Sequence, residues 1–89
     1  MPAISMFYGI IIYMYAADDD RHHEPHIHVK YQDEKAIFTI KDRKLIKGNL
    51  PIRATHLVRE WMEMHEEELM LNWKLSINKE GVYKVDPLK

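Results

Sequence analysis

The sequence predicts an α+β fold, in which an antiparallel sheet of three to four strands precedes a long C-terminal helical segment packed on one face. Up to about residue 47, short runs that are either apolar throughout or alternate apolar and polar residues lie between turn residues, which is typical of strands. From Pro51 onward the apolar spacing becomes that of a helix. The 89 residues are expected to form one domain, with strands over about 4–47, a helix over about 51–79 and a tail over 80–89.

The first strands lie in an apolar stretch rich in isoleucine and tyrosine. Ile4 to Phe7 and Ile10 to Ala16 are predicted strands, and Gly9 between them allows either a tight turn or a bulge in one long strand. The stretch is too short for a membrane-spanning helix and lacks the basic start of a signal peptide. We therefore expect soluble β structure, no membrane partner and a cytoplasmic location.

Two clearly alternating segments follow, His26 to Gln32 and Lys35 to Lys41, and Leu45-Ile46 could add a short strand. Alternation divides the first segment into one set of side chains facing the core and helix and a second set facing away from them. The core-facing set is Ile27, Val29 and Tyr31, and the opposite set is His26, His28 and Lys30.

The helical segment has an apolar face that changes direction along its length. Proline at position 51 favours a first helical turn, and the first half places its apolar residues in one arc centred near Trp61. In the second half, Glu68 and Asn72 project into that arc. Either the helix is kinked or broken around Glu66 to Glu68, or its far end packs against something other than the sheet, such as a second chain.

The second alternative makes three apolar residues of the far end candidates for partner binding. They are Met70, Trp73 and Ile77. The simpler expectation for both Trp61 and Trp73 is that they are core anchors, and the shift of the apolar face favours partner binding for Trp73 more than for Trp61. His65 lies within the apolar stripe, where a packed and hydrogen-bonded histidine is the simpler interpretation.

Composition restricts the chemistry. The formal net charge is -1, which argues against a polybasic nucleic-acid binder. The absence of cysteine excludes disulfides and thiolate metal sites. Any metal would therefore be bound by histidine, carboxylate or water.

Histidines concentrate in one segment, which is the best candidate for a functional site. His26 and His28 lie on the same face of a strand, with Cβ atoms roughly 7 Å apart, and such a pair can chelate a metal. A divalent transition metal such as Zn, Mn, Ni or Fe would need further ligands from the preceding loop. The candidate ligands are His26, His28, His22, His23 and Asp20, the last belonging to the acidic triplet Asp18 to Asp20. The alternative is a polar strand face that simply meets water.

The same face also supports a mechanism without metal. His26 or His28 could act as a general acid or base, and Lys30 extends the row. Tyr13 and Tyr15 could lie on the adjacent strand. Aromatic, histidine and lysine side chains on an exposed sheet suit an RNA-binding or RNA-cleaving surface.

Several motifs together resemble the bacterial domain-of-unknown-function family 4160. They are Pro2-Ala3-Ile4-Ser5, Phe7-Tyr8-Gly9-Ile10, Pro25-His26-Ile27-His28-Val29, Leu50-Pro51, Trp61, His65, Glu68-Leu69 and Trp73. Glu24 stands where the family usually has a second proline or a similar residue. The resemblance therefore extends to His26 and His28 more directly than to His22 and His23.

Members of that family are often encoded beside a second small family, numbered 2442, in an arrangement like that of a toxin–antitoxin pair. The resemblance thus implies the toxin-like partner of a two-gene module, and the residues of the histidine-bearing face make that face its expected site of action and RNA one candidate target. Its expected partner is a cognate small protein encoded nearby, a second copy, or both. A non-enzymatic interaction, antitoxin or regulatory module is one alternative, and a small metal-binding protein is another. No small-molecule cofactor is evident from the sequence.

Overall fold

The computed structural model describes residues 3–14 and 24–89 and has an α+β architecture. The predicted order of a sheet followed by helices is confirmed, but the sheet has five strands rather than three to four, and the helical segment is two helices. The elements are β1 (Ala3–Phe7), β2 (Ile10–Tyr13), β3 (His26–Tyr31), β4 (Glu34–Thr39), β5 (Leu45–Gly48), α1 (Ile52–Met64) and α2 (Glu66–Ile77).

The sheet is an antiparallel meander in the order β1-β2-β3-β4-β5, so β3 is its middle strand. Tyr8 and Gly9 form the turn between β1 and β2, with φ values of 51° and 78°. Two consecutive positive φ values match the right-handed twist of a tight hairpin, and they separate β1 from β2. The fifth strand of the sheet is β5, which pairs with β4. The register of this pairing is irregular between Ile37 and Phe38.

The core lies between one side of the sheet and the helices. Ile27 and Val29 are buried on this side, as their alternation predicted. From α1, Trp61 packs its ring 5.4 Å from the ring of Phe7, centroid to centroid. Burying a large apolar side chain contributes about 1.5–3 kcal/mol, so this contact helps to hold α1 against the sheet. The other core members with 0% exposure are Ile10, Ile12, Met14, Phe38, Val58, Met62 and Leu69.

The helical segment is broken at His65, which confirms one of the two explanations for the shift of its apolar face. His65 has φ −124° and ψ 25°, which are not helical values. Glu66, Glu67 and Glu68 then form the first turn of α2. Carboxylates are favourable there because the N-terminus of a helix carries partial positive charge. Arg43 also reaches Glu66 at 3.2 Å, which ties the turn before β5 to the start of α2.

The residues that follow α2 form neither helix nor strand, yet they pack against the first strand and α1. Val85 is buried, and its backbone N–H donates to the carbonyl oxygen of Ile4 at 2.8 Å. The indole Nε1–H of Trp61 donates to the carbonyl oxygen of Asp86 at 2.7 Å. This C-terminal tail therefore completes the core beside β1. Across the described ranges, the structure contains no helix with the length and apolar content needed to cross a bilayer.

Candidate functional site

The side of the sheet opposite the core carries a row of side chains from four strands. His28 on β3 pairs with Tyr13 on β2 and with Ile37 on β4, and Ile37 pairs in turn with Lys47 on β5. Directly paired residues project to the same side of a sheet. Since β3 is the middle strand, His28 occupies the centre of this face.

A second row lies beside the first and contains two lysines directly opposite each other. Lys30 on β3 pairs with Lys35 on β4, and on its other side it pairs with Ile11 on β2. Both lysines are exposed. Like charges at directly opposed positions destabilise an antiparallel pair. The sheet therefore carries a local repulsion at this position.

The two rows surround one concavity of about 390 Å³. Its lining contains three lysines, one histidine and one tyrosine, and it contains no aspartate or glutamate. Among the described residues, no carboxylate forms an ion pair with any of these lysines. We call this surface the lysine face, and it consists of Tyr13, His28, Lys30, Lys35, Ile37 and Lys47.

His26 shares the side of β3 that carries His28, but it is fully buried. Its ring lies 5.2 Å from the ring of His28 and 4.8 Å from the ring of Trp73 on α2. The expectation that His26 points away from the helices is therefore wrong. The helical segment breaks at His65, and Trp73 of α2 packs against His26 at the start of β3.

The two strand histidines thus differ in access. His28 is half-buried and lines the concavity. His26 has its Nδ1 atom 2.7 Å from the carbonyl oxygen of Glu24, so this nitrogen is engaged at the start of β3. The lysine face therefore presents one imidazole to a ligand from this pair, and Lys30 lies beside it.

The predicted metal ligands divide between described and undescribed parts of the chain. His22, His23 and Asp20 lie outside the described residues, as does Tyr15. Within residues 3–14 and 24–89, no group of three or more histidine and carboxylate side chains is placed to hold a metal ion. The metal site consequently stays a prediction.

The candidate partner-binding residues lie in three different environments. Trp73 is buried against His26 inside the chain, Met70 is half-buried and Ile77 is exposed. Their role in binding a partner stays a prediction. His65, in contrast, has the packed and hydrogen-bonded environment expected for it, with its ring 5.6 Å from Trp61 and its Nδ1 2.7 Å from Glu68 Oε1.

The sequence did not place Lys35 or Lys47 of the lysine face beside Lys30. Lys35 begins an alternating strand, so it could have been placed opposite Lys30 if the turn between the strands had been fixed at Gln32 and Asp33. Lys47 depends on the irregular pairing of β5, for which alternation carries no signal.

The fold and this surface define a small α+β protein with an open, lysine-lined sheet face. A family model described as Domain of unknown function (DUF4160) matches residues 9–74, and the chain belongs to that family. The match includes every residue of the lysine face and extends from Gly9 into α2. Comparison with curated proteins and with solved structures finds no match.

Proposed function

We propose that this protein is the toxin-like partner of a bacterial two-gene module and that it acts on cytoplasmic RNA through the lysine face. The observation that carries the proposal is the placement of Lys30 directly opposite Lys35, next to Lys47, around a concavity lined by no carboxylate. The two-gene module rests on the family resemblance, and the RNA target rests on the chemistry of the face.

A phosphate backbone suits this surface for electrostatic reasons. Lys30 and Lys35 repel each other in the free protein, and an anion held between them would relieve that repulsion. A phosphodiester chain supplies successive anions at regular spacing, and its binding releases counterions. The overall charge of -1 does not oppose this, because the acidic run Glu66 to Glu68 lies on α2 and not on the lysine face.

Single-stranded RNA fits the face better than a duplex because the face also offers rings. Tyr13 and His28 are directly paired neighbours, and both line the concavity. Unpaired bases stack on aromatic side chains and on histidine, whereas the bases of a duplex are already stacked on one another. Ile37 adds an apolar surface next to them.

His28 is the residue best placed for proton transfer. Imidazole titrates near neutral pH and can act as a general acid or base. Lys30 lies two residues along the same strand, with its Cβ roughly 7 Å away, so a phosphate held by Lys30 would lie near the His28 ring. We assign His28 the acid/base role and Lys30 the stabilisation of negative charge on the phosphate.

RNA binding is tested by fluorescence anisotropy with a labelled single-stranded RNA at several salt concentrations. Affinity should fall as salt rises, and the double variant Lys30→Glu/Lys35→Glu should bind more than about tenfold more weakly. Its log–log salt slope should be shallower by about 0.7 for each phosphate that the variant no longer neutralises. The matched control is Lys74→Glu/Lys89→Glu, in which both residues are exposed and outside the concavity. Equal weakening in both variants, or salt-independent binding by the native protein, would contradict RNA binding at this face.

The toxin-like role is tested separately by expression in bacteria with and without the neighbouring gene. Expression alone should slow growth, co-expression of the neighbour should restore it, and His28→Ala should abolish the effect at unchanged protein level. Harmless expression of the native chain would overturn the role, as would full toxicity of the His28→Ala variant.

A further inference from the structure

We infer that His26 is a positioning residue, which fixes the ring of His28 toward the concavity, and that His28 alone of this pair meets the ligand. The identity of the ligand as RNA rests on the proposed function. The division of labour between the two histidines rests on burial and ring geometry. It changes the simplest view of a His-x-His strand, in which the two rings are equivalent.

Burial separates the two rings first. The side chain of His26 has a relative exposure of 0%, so a ligand in the concavity cannot touch it without unfolding part of the structure. Its Nδ1 lies 2.7 Å from the carbonyl oxygen of Glu24. A carbonyl only accepts hydrogen bonds, so Nδ1 is the donor, and the neutral form of His26 carries its proton there.

The backbone around His26 is fixed as well. The carbonyl oxygen of Pro25 accepts a hydrogen bond at 2.9 Å from the N–H of Ile40, and His26 pairs with Thr39 on β4. The Thr39 side chain is itself buried. The backbone at the start of β3, which carries the His26 ring, is therefore held in place by hydrogen bonding and pairing with β4 and the residue that follows it.

Three rings follow one another from α2 to the lysine face. Trp73 lies 4.8 Å from His26 with an interplanar angle of 56°, and His26 lies 5.2 Å from His28 with an angle of 62°. Tilted and edge-to-face contacts of this kind are specific in geometry. Trp73 is buried, so the series is supported by the core at one end.

The consequence for His28 is preorganisation. The ring of His28 contacts the buried ring of His26, and His28 also lines the concavity together with Tyr13, Lys30 and Lys47. A proton-transferring group held in one orientation avoids the loss of rate that comes from misplacement. His26 provides that orientation without contacting the ligand.

Access is measured by modification with diethyl pyrocarbonate and mass mapping of the labelled peptides. His56 is exposed on α1 and serves as the internal reference. His28 should be modified in the folded protein, whereas His26 should react more than about tenfold more slowly than His56 until the protein unfolds. Modification of His26 at the rate of His56 would overturn the inference.

Positioning is measured by the χ1 and χ2 rotamers of His28 from NMR couplings in labelled protein. The native chain should show one dominant rotamer. His26→Leu fills the buried site without a ring and should give an averaged rotamer, whereas His26→Phe keeps the aromatic contact and should restore the single rotamer. A His28 rotamer that is unchanged in a folded His26→Leu variant would refute the positioning role.

Addition of single-stranded RNA separates this inference from the proposed function. RNA should slow the modification of His28 and leave that of His56 unchanged. If RNA gives no protection while the rotamer results hold, RNA is not the ligand but the positioning role of His26 stands. If RNA protects His28 and His26→Leu leaves its rotamer unchanged, the positioning role fails and the proposed function stands.

Discussion

The side chain of Asn72 hydrogen-bonds to both backbone polar groups of Tyr83. Its Nδ2 donates to the carbonyl oxygen of Tyr83 at 2.8 Å, and the N–H of Tyr83 donates to its Oδ1 at 2.9 Å. Asn72 is buried on α2, so this paired contact fastens the C-terminal tail to the helix. It also explains why a polar residue projects into the apolar arc of the helical segment.

Replacing this asparagine should loosen the tail. Asn72→Ala leaves two backbone groups of Tyr83 without their partners, and we expect a loss of about 1–3 kcal/mol in the free energy of unfolding. Urea unfolding followed by tryptophan fluorescence measures it, and Asn49→Ala is the control because Asn49 is exposed. Equal midpoints for the two variants would show that the contact does not stabilise the fold.

Gly48 should not tolerate any side chain. Its φ is +80°, and an added Cβ would collide with the carbonyl oxygen of Lys35 and approach the Cα of Ala36 to 2.9 Å. Both contacts are backbone atoms of β4, which cannot move without disturbing the sheet. We expect Gly48→Ala to destabilise the protein by about 3 kcal/mol or more, through strain and loss of β5 pairing.

The control for that substitution lies in the same chain. Gly81 has no atom within 4 Å of an added Cβ. Gly81→Ala should therefore change thermal stability by less than about 1 kcal/mol. The prediction fails if the two variants melt at the same temperature.

Ser5 should be replaceable with a gain in stability. Ser5 lies on β1, and its Oγ is buried without a hydrogen-bond partner within the described structure. An unpaired buried hydroxyl is unfavourable, so Ser5→Ala should raise the free energy of unfolding by about 0.5–1 kcal/mol. Differential scanning calorimetry measures the change, and a lower melting temperature for the variant would contradict it.

Lys35 should show opposite effects on stability and on RNA binding. Lys35→Glu converts a repulsive cross-strand pair with Lys30 into an attractive one, so the variant should be more stable by about 0.2–1 kcal/mol at low salt. The same change removes a cation from the lysine face and should weaken RNA binding. Lys35→Gln should give a smaller gain, and added salt should diminish both gains. A variant that loses stability would show that the paired lysines do not repel each other in the native sheet.

Strand alternation predicted much of the site because it is a local property. It placed Ile27 and Val29 in the core, and it placed His28 and Lys30 together on the other side. The burial of His26 was not predictable in the same way. It depends on the direction of α2, which is set by a break at His65 that neither glycine nor proline marks.

The turn at Gly9 and the position of Lys47 were also not determined by the sequence pattern, because both depend on pairing between strands. Gly9 allowed a turn or a bulge, and the turn also requires positive φ at Tyr8, which a tyrosine seldom adopts. The lysine face draws Lys47 from β5, whose register is shifted between Ile37 and Phe38. A register between strands is decided by the whole sheet rather than by either segment.

The contact between Val85 and Ile4 has a consequence for the order of folding. Every strand of the meander pairs with its neighbour in sequence, so hairpins can form one after another at small entropic expense. The hydrogen bond between Val85 and Ile4 instead joins residues from opposite ends of the chain. Closing so large a loop is most favourable when the sheet has already formed. We expect the tail to dock last and to open first, so that the amide of Val85 would exchange with solvent before the amides of β3.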